Sequence, residues 1–213
     1  VGSLGTDGQI FTSSGAGKSA VFEAAAGGGA WTKIKEITAS SDSDISFVDG
    51  TDSVVLDSTY PIYVFKFINI HPSDDRSLFS FQGNAAGGSG YNETMTTTMF
   101  RVYNNEAGDD AAGPVYVAGG DQGQGTAFQP ITTHVGNDND ENAVGNLWLY
   151  NPSDTTYVKH FISQCSANQG QFNYLITSYV TGYFNTTSAI DEIQFKFDAG
   201  TIDAGTISLY GIT

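Results

Sequence analysis

The chain has one cysteine, five prolines, two tryptophans and only eight basic residues in 213. A lone cysteine, Cys165, excludes an intrachain disulfide and any zinc site built from several cysteines. Following Phe161 and Ile162 in a strand-like run, it reads as a small buried hydrophobe. Eight Lys and Arg against 23 Asp and Glu give a formal net charge of −15. Sequence-independent nucleic-acid binding needs a basic stripe to release counterions, so DNA and RNA are not expected partners. The acidity has two readings: solubility with repulsion from anionic cell surfaces, or dedicated cation binding. No apolar run approaches the roughly 18 residues of a membrane span, and no basic segment followed by an apolar one opens the chain. Membrane insertion is therefore not expected, although a start at Val1 leaves a processed or longer N-terminus open. The three histidines, His71, His134 and His160, have no metal-ligand spacing. Neither Gly-x-Ser-x-Gly nor His-Glu-x-x-His occurs. No catalytic residue and no cofactor are expected. A carboxylate pair for glycoside cleavage is set by space rather than by sequence spacing, and 23 acidic residues make any pair uninformative.

What the chain has in quantity is glycine and aromatics: 26 Gly, 14 Phe and 11 Tyr, with 39 % hydrophobic residues overall. That is enough apolar surface for one sizeable core, and glycine between apolar runs favours a turn-dense β fold. Period-two alternation is clearest near the C-terminus. There Ile193, Phe195 and Phe197 alternate with Glu192, Gln194 and Lys196, and Ile207 and Leu209 share a face. Strand-like segments run over residues 31–39, 45–48, 61–70, 77–82, 94–103, 114–117, 128–132, 146–150, 157–164, 172–184, 189–197 and 206–212. This spacing predicts an all-β, antiparallel, jelly-roll-like β-sandwich over residues 30–213. Residues 1–29, rich in Gly, Ser and Ala, predict an extended N-terminal arm that serves attachment, with Gly27–Gly29 as its boundary. Within the arm, Gly15-Ala16-Gly17-Lys18-Ser19 resembles the end of a phosphate-binding loop. Thr12 stands where that motif needs glycine, so a flexible arm is the better reading.

Three local patterns yield candidate sites. In 62–70, Tyr63, Phe65 and Phe67 occupy one face, and Ile62, Val64, Ile68 and Ile70 the other. A strand apolar on both faces is central with a covered outer face or part of a subunit contact. The expectation is a homo-oligomer, a trimer first among its states, with those four residues at the contact. In 146–150, Trp148 and Tyr150 oppose Leu147 and Leu149. Trp148 and Tyr150 are taken as the core face, and if they point outward they are candidates for stacking on sugar rings. Trp31, opening the folded region, is expected to pin the arm to the sandwich. Residues 137–142 hold Asp138 and Asp140 among Asn and Glu. Turn chemistry explains that composition, and a hard-cation site is the alternative. Finally, His71-Pro72-Ser73-Asp74 and Asn151-Pro152-Ser153-Asp154 echo each other at an offset of 80, and strand ends at Asn104 and Asn185 at 81, as equivalent hairpins of two Greek keys would.

The wording of several segments carries a resemblance. Gly182-Tyr183-Phe184-Asn185-Thr186-Thr187-Ser188-Ala189-Ile190, followed by Gly205-Thr206-Ile207-Ser208-Leu209-Tyr210-Gly211-Ile212, resembles the end of virion structural proteins of tailed phages, notably phages of aquatic bacteria. Ile37-Thr38-Ala39-Ser40-Ser41, Asn69-Ile70-His71-Pro72-Ser73 and Thr155-Thr156-Tyr157-Val158-Lys159-His160-Phe161 extend the resemblance over most of the sandwich. Gly8-Gln9-Ile10-Phe11 is similar to short segments near the attachment ends of phage fibre proteins. The resemblance implies a non-enzymatic head decoration, fibre or tail appendage protein on the virion, made in the bacterial cytoplasm, with other virion proteins as partners and a host surface glycan as an adhesive target. A lectin-like carbohydrate-binding module is the second reading. A polysaccharide-cleaving virion enzyme is the third.

Overall fold

The computed structural model describes residues 9–12, 21–24, 30–169 and 173–213. Strands β1 (Gln9–Thr12) and β2 (Val21–Ala24) pair as a separate antiparallel sheet, with Phe11 opposite Phe22. Within the expected extended arm, the described backbone is thus paired in a ladder of its own. The phosphate-loop-like run and Gly27–Gly29 lie outside the described residues.

The other strands form an antiparallel sandwich. Its smaller sheet runs β10 (Gln129–Pro130), β6 (Phe79–Ala85), β14 (Ile190–Phe197), β4 (Ile45–Val48). Its larger sheet runs β3 (Trp31–Thr38), β15 (Ile202–Ile212), β5 (Ile62–Pro72), β11 (Ala143–Tyr150), β12 (Lys159–Gln169), β13 (Tyr174–Phe184), β7 (Met95–Asn105), β8 (Ala111–Tyr116), and β9 (Gly123–Gly125) pairs with β7. The pairings nest. β3 bonds β15, β4 bonds β14, β5 bonds β11 and β6 bonds β10, as when one long hairpin is wound around a core. Strands β7 to β9 and β12 to β13 are additions that widen the larger sheet.

Alternation explains the core. Phe195 of β14 is fully buried, its ring centroid 5.1 Å from Phe65, 5.2 Å from Phe67 and 5.9 Å from Phe79. Phe47 and Phe81 complete its surround at 6.3 and 6.4 Å. Each buried Phe contributes about 1.5–3 kcal/mol from area alone. The added strands meet the smaller sheet at one end, Phe161 of β12 and Phe184 of β13 lying 4.9 and 6.1 Å from Phe81, and residues 118–130 cover part of the rest. Buried Gln129 anchors that segment by donating to the Gly120 carbonyl (2.7 Å) and accepting from Thr97 Oγ1 (2.7 Å). Gln82 donates to the Thr126 and Ala127 carbonyls. Interior amides with filled bonding capacity hold irregular chain where no ladder can.

Strand β5 departs from the sequence reading in its second half. Tyr63, Phe65 and Phe67 face the core, but Asn69 adopts φ 52°, a left-handed conformation that Asn tolerates. Phe67 pairs with Gly145 and Ile70 with Ala143, so two residues of β5 oppose Val144 alone. Gly205, at φ +115°, packs against this bulge, where a Cβ would meet the Asn69 carbonyl oxygen at 2.5 Å. The extra residue returns Ile70 to the core. Ile62, Val64, Ile68 and Ile70 therefore do not share a face. Ile70 is buried in the core, Val64 is buried on the outer face between its cross-strand neighbours Tyr210 and Trp148, Ile62 is half-buried, and Ile68 is 49 % exposed.

Two further expectations are corrected. Leu147 and Leu149, opposite Phe65 and Tyr63, face the core, so Trp148 and Tyr150 face outward. The hairpin echo is coincidental turn chemistry: His71 and Pro72 are the last residues of β5 before the chain crosses to the smaller sheet, whereas residues 151–154 link β11 to β12 within one sheet. Asn104 and Asn185 lie at opposite ends of the β7–β13 ladder, Asn104 facing Leu175 and the Asn185 amide donating to the Thr94 carbonyl.

Candidate functional site

The outer face of the larger sheet is the first candidate. Outward residues of β7, β11, β12 and β13 include no Asp, Glu, Lys or Arg, in a chain with 23 carboxylates. Thr, Ser, Asn, Gln, Tyr and His160 alternate there with apolar side chains that are well exposed: Val144, Ile162 at 48 %, Leu175 at 57 % and Phe100. Phe100 stacks on its cross-strand neighbour Tyr179, centroids 4.8 Å apart and planes 9° from parallel. Those four strands, spaced about 4.8 Å apart and up to eleven residues long, present on the order of 700 Å²; beside them β5 adds Ile62, Val64 and Ile68 and one charge, Lys66.

One corner of this face is aromatic. Trp31 meets Trp148 edge-on at 5.4 Å and Tyr210 at 5.8 Å. The Lys66 ammonium sits 5.2 Å from the Trp31 ring and 5.7 Å from Tyr210, a doubly faced cation–π arrangement. Trp148 Nε1 donates to Asn146 Oδ1 at 2.8 Å, which fixes the indole plane. Trp31 thereby fastens edge strand β3 to the sheet; the arm it was expected to pin lies mostly outside the described residues. Tyr150, half-buried opposite Ile62, stands on the same face.

The second candidate is an open groove of about 600 Å³ at one end of the sandwich, where β7, β12, β13 and residues 138–142 converge. Asn104, Asn105, Asn142, Asn168 and Tyr174 line it, together with Asp138 and Asp140. The acidic loop is held by internal bonds. The Asp138 amide donates to Glu141 Oε2 (2.9 Å), and the Glu141 amide donates to the Asp138 carbonyl (2.9 Å). Asn168 Nδ2 donates to the Asp140 carbonyl (3.1 Å), and His71 Nε2 lies 3.2 Å from the Asp138 carbonyl. Among the described residues, no three His, Cys, Asp or Glu side chains gather as metal ligands would. His71 is a strand residue rather than a turn residue, 3.7 Å from Asp203. Nothing in the local sequence announces this groove, because its walls come from separate stretches of chain around residues 104–106, 138–144, 166–169 and 173–175.

Two interior groups have shifted acidity. Burial pushes the Cys165 thiol up to about 12, so it stays protonated and unreactive. Burial lowers the Lys159 ammonium, whose Nζ donates to the Tyr157 and Thr186 carbonyls at 2.8 and 3.2 Å and ties two turns together. Comparison with protein-family models, with curated proteins and with solved structures finds no match to this chain.

Proposed function

We propose that this chain is a non-enzymatic virion structural protein, displayed on the particle surface and acting through contact. The observation that carries the reading is the outer face of β7, β11, β12 and β13: free of charged side chains and studded with apolar ones, on a protein of net charge −15. Copies so acidic repel one another everywhere else, and about 700 Å², with the outer face of β5 beside it, is on the scale of the roughly 800 Å² per partner of a standard interface. The contact is with a second copy of the chain, in a homo-oligomer or a repeated array, with Ile162 and Phe100 toward its middle, Val144 and Leu175 where it meets the end groove, and Ile68 at its margin. The nested pairing supports the reading too, because it is compatible with a jelly roll, an architecture shared by viral capsid and lectin domains.

Mass spectrometry and electron cryomicroscopy of purified particles from the phage encoding the chain test this. The expected result is a stoichiometric virion component with density on the outside of the head or tail. Absence from particles contradicts it. A lectin-like module is the second reading, favoured by the outward placement of Trp148 and Tyr150 beside Trp31, and a glycan array separates the two.

A further inference from the structure

The geometry points to a second site: we propose that Arg101 anchors, in a small pocket of its own, the carboxylate of an acidic saccharide whose neutral neighbours lie in the end groove. Arg101 projects from β7 toward the inner side of the sheet, in the added region. Its guanidinium carbon lies 5.6 Å from the Tyr103 ring, and Tyr103 meets Tyr174 edge-on at 5.4 Å. Among the described residues its Nε is buried with no hydrogen-bond partner, and no carboxylate forms an ion pair with it. Directly across the ladder stands Ser178, 1 % exposed, whose Oγ likewise has no partner among the described residues. Leaving a buried polar group unpaired costs about 1–3 kcal/mol, so the Arg101 Nε, which borders an open space, asks for a ligand.

The space beside Arg101 is about 130 Å³, lined by Arg101, Tyr103, Gln169, Tyr174 and Ile176. That is room for a carboxylate and one or two waters at about 30 Å³ each, and too little for a whole sugar ring. A guanidinium fork matches a carboxylate in shape as well as charge. Gln169 and Tyr174 line both this pocket and the end groove, so the two spaces adjoin. The groove's amides suit sugar hydroxyls. Its rim is acidic: Asp138, Asp140 and Glu106 line the groove, and Asp110 accepts from the Tyr174 hydroxyl. A polyanion is repelled there, which selects a saccharide bearing a single acid among neutral residues. This site stands whether or not the chain is carried on a particle.

Calorimetric titration of the full chain tests it with three probes: a trisaccharide carrying one uronic acid, its methyl ester, and inorganic phosphate. The acidic trisaccharide should bind, with at least tenfold weaker binding for the ester and for Arg101→Gln. Arg101→Lys, which keeps the cation but loses the planar fork, should weaken binding about threefold without lowering the melting temperature, so that a folding defect in Arg101→Gln is told apart from a lost contact. Equal binding of acid and ester, no binding of the acid, or unchanged affinity in Arg101→Gln overturns the proposal. Phosphate binding as tightly as the trisaccharide also overturns it, since the site would then take a free ion.

Discussion

Removing the Phe195 ring should be among the most damaging single changes in this protein. The side chain is fully buried where the two sheets meet, and five phenylalanine rings surround it between 5.1 and 6.4 Å. Phe→Ala in a core costs about 3–5 kcal/mol through lost transfer energy and residual cavity. Walls formed by two hydrogen-bonded sheets collapse poorly, and aromatic pairs each add about 0.5–1.5 kcal/mol beyond area. Phe195→Ala should therefore lose about 4–5 kcal/mol. At about 2–4 °C per kcal/mol for a domain of this size, the midpoint should fall by roughly 8–20 °C. Urea unfolding followed by tyrosine and tryptophan fluorescence measures the loss, with Tyr157→Ala as the control. Tyr157 is 73 % exposed and should change stability by no more than about 0.5 kcal/mol. A loss below about 2 kcal/mol for Phe195→Ala would refute the claim that the ring cluster is the centre of the core.

Alkaline pH should act through Cys165. Its folded-state thiol is raised from 9.0 to about 12, so its stabilisation is complete below about pH 9 and is lost as pH climbs toward 12. By pH 10.5 the loss is roughly 2 kcal/mol at about 1.36 kcal/mol per unit; Cys165→Ala should flatten that limb of the stability–pH curve, and an unchanged limb would assign it to other groups. Sodium chloride should raise stability smoothly, because the Debye length falls from about 10 Å at 0.1 M to about 3 Å at 1 M and screens the net charge of −15. Calcium should add only its ionic strength, since the 137–142 loop bonds to itself and to Asn168; a saturable gain lost on Asp138→Ala would make the loop a metal site.

Strand existence was legible because alternation is a local signal. Ile193, Phe195 and Phe197 could face one way only if 189–197 was a strand, and it is. What alternation alone does not reveal is a slip. The bulge at Asn69 depends on Gly205, 136 residues away, and it moves Ile70 from the outer face to the core. Choosing between the two faces of β11 also failed, because Trp148 with Tyr150 and Leu147 with Leu149 are both apolar. The neighbours decide, since Phe65 and Tyr63 already line the core opposite the leucines. The carboxylate pocket had a faint signal in Phe100-Arg101-Val102-Tyr103, an arginine on the inward parity of a strand. Its other walls, Gln169, Tyr174 and Ile176, are brought to it only by the pairing of β12, β13 and β7.

The central claim is that the uncharged outer face joins copies of the chain. Light scattering of the full chain at micromolar concentration, beside Ile162→Glu, tests it most directly. Ile162 lies mid-face, 48 % exposed, on a strand with no outward carboxylate, so the substitution leaves the core untouched. The account predicts an oligomer for the native chain and a folded monomer for Ile162→Glu. A native chain that is strictly monomeric, or an oligomer that survives the glutamate, contradicts it.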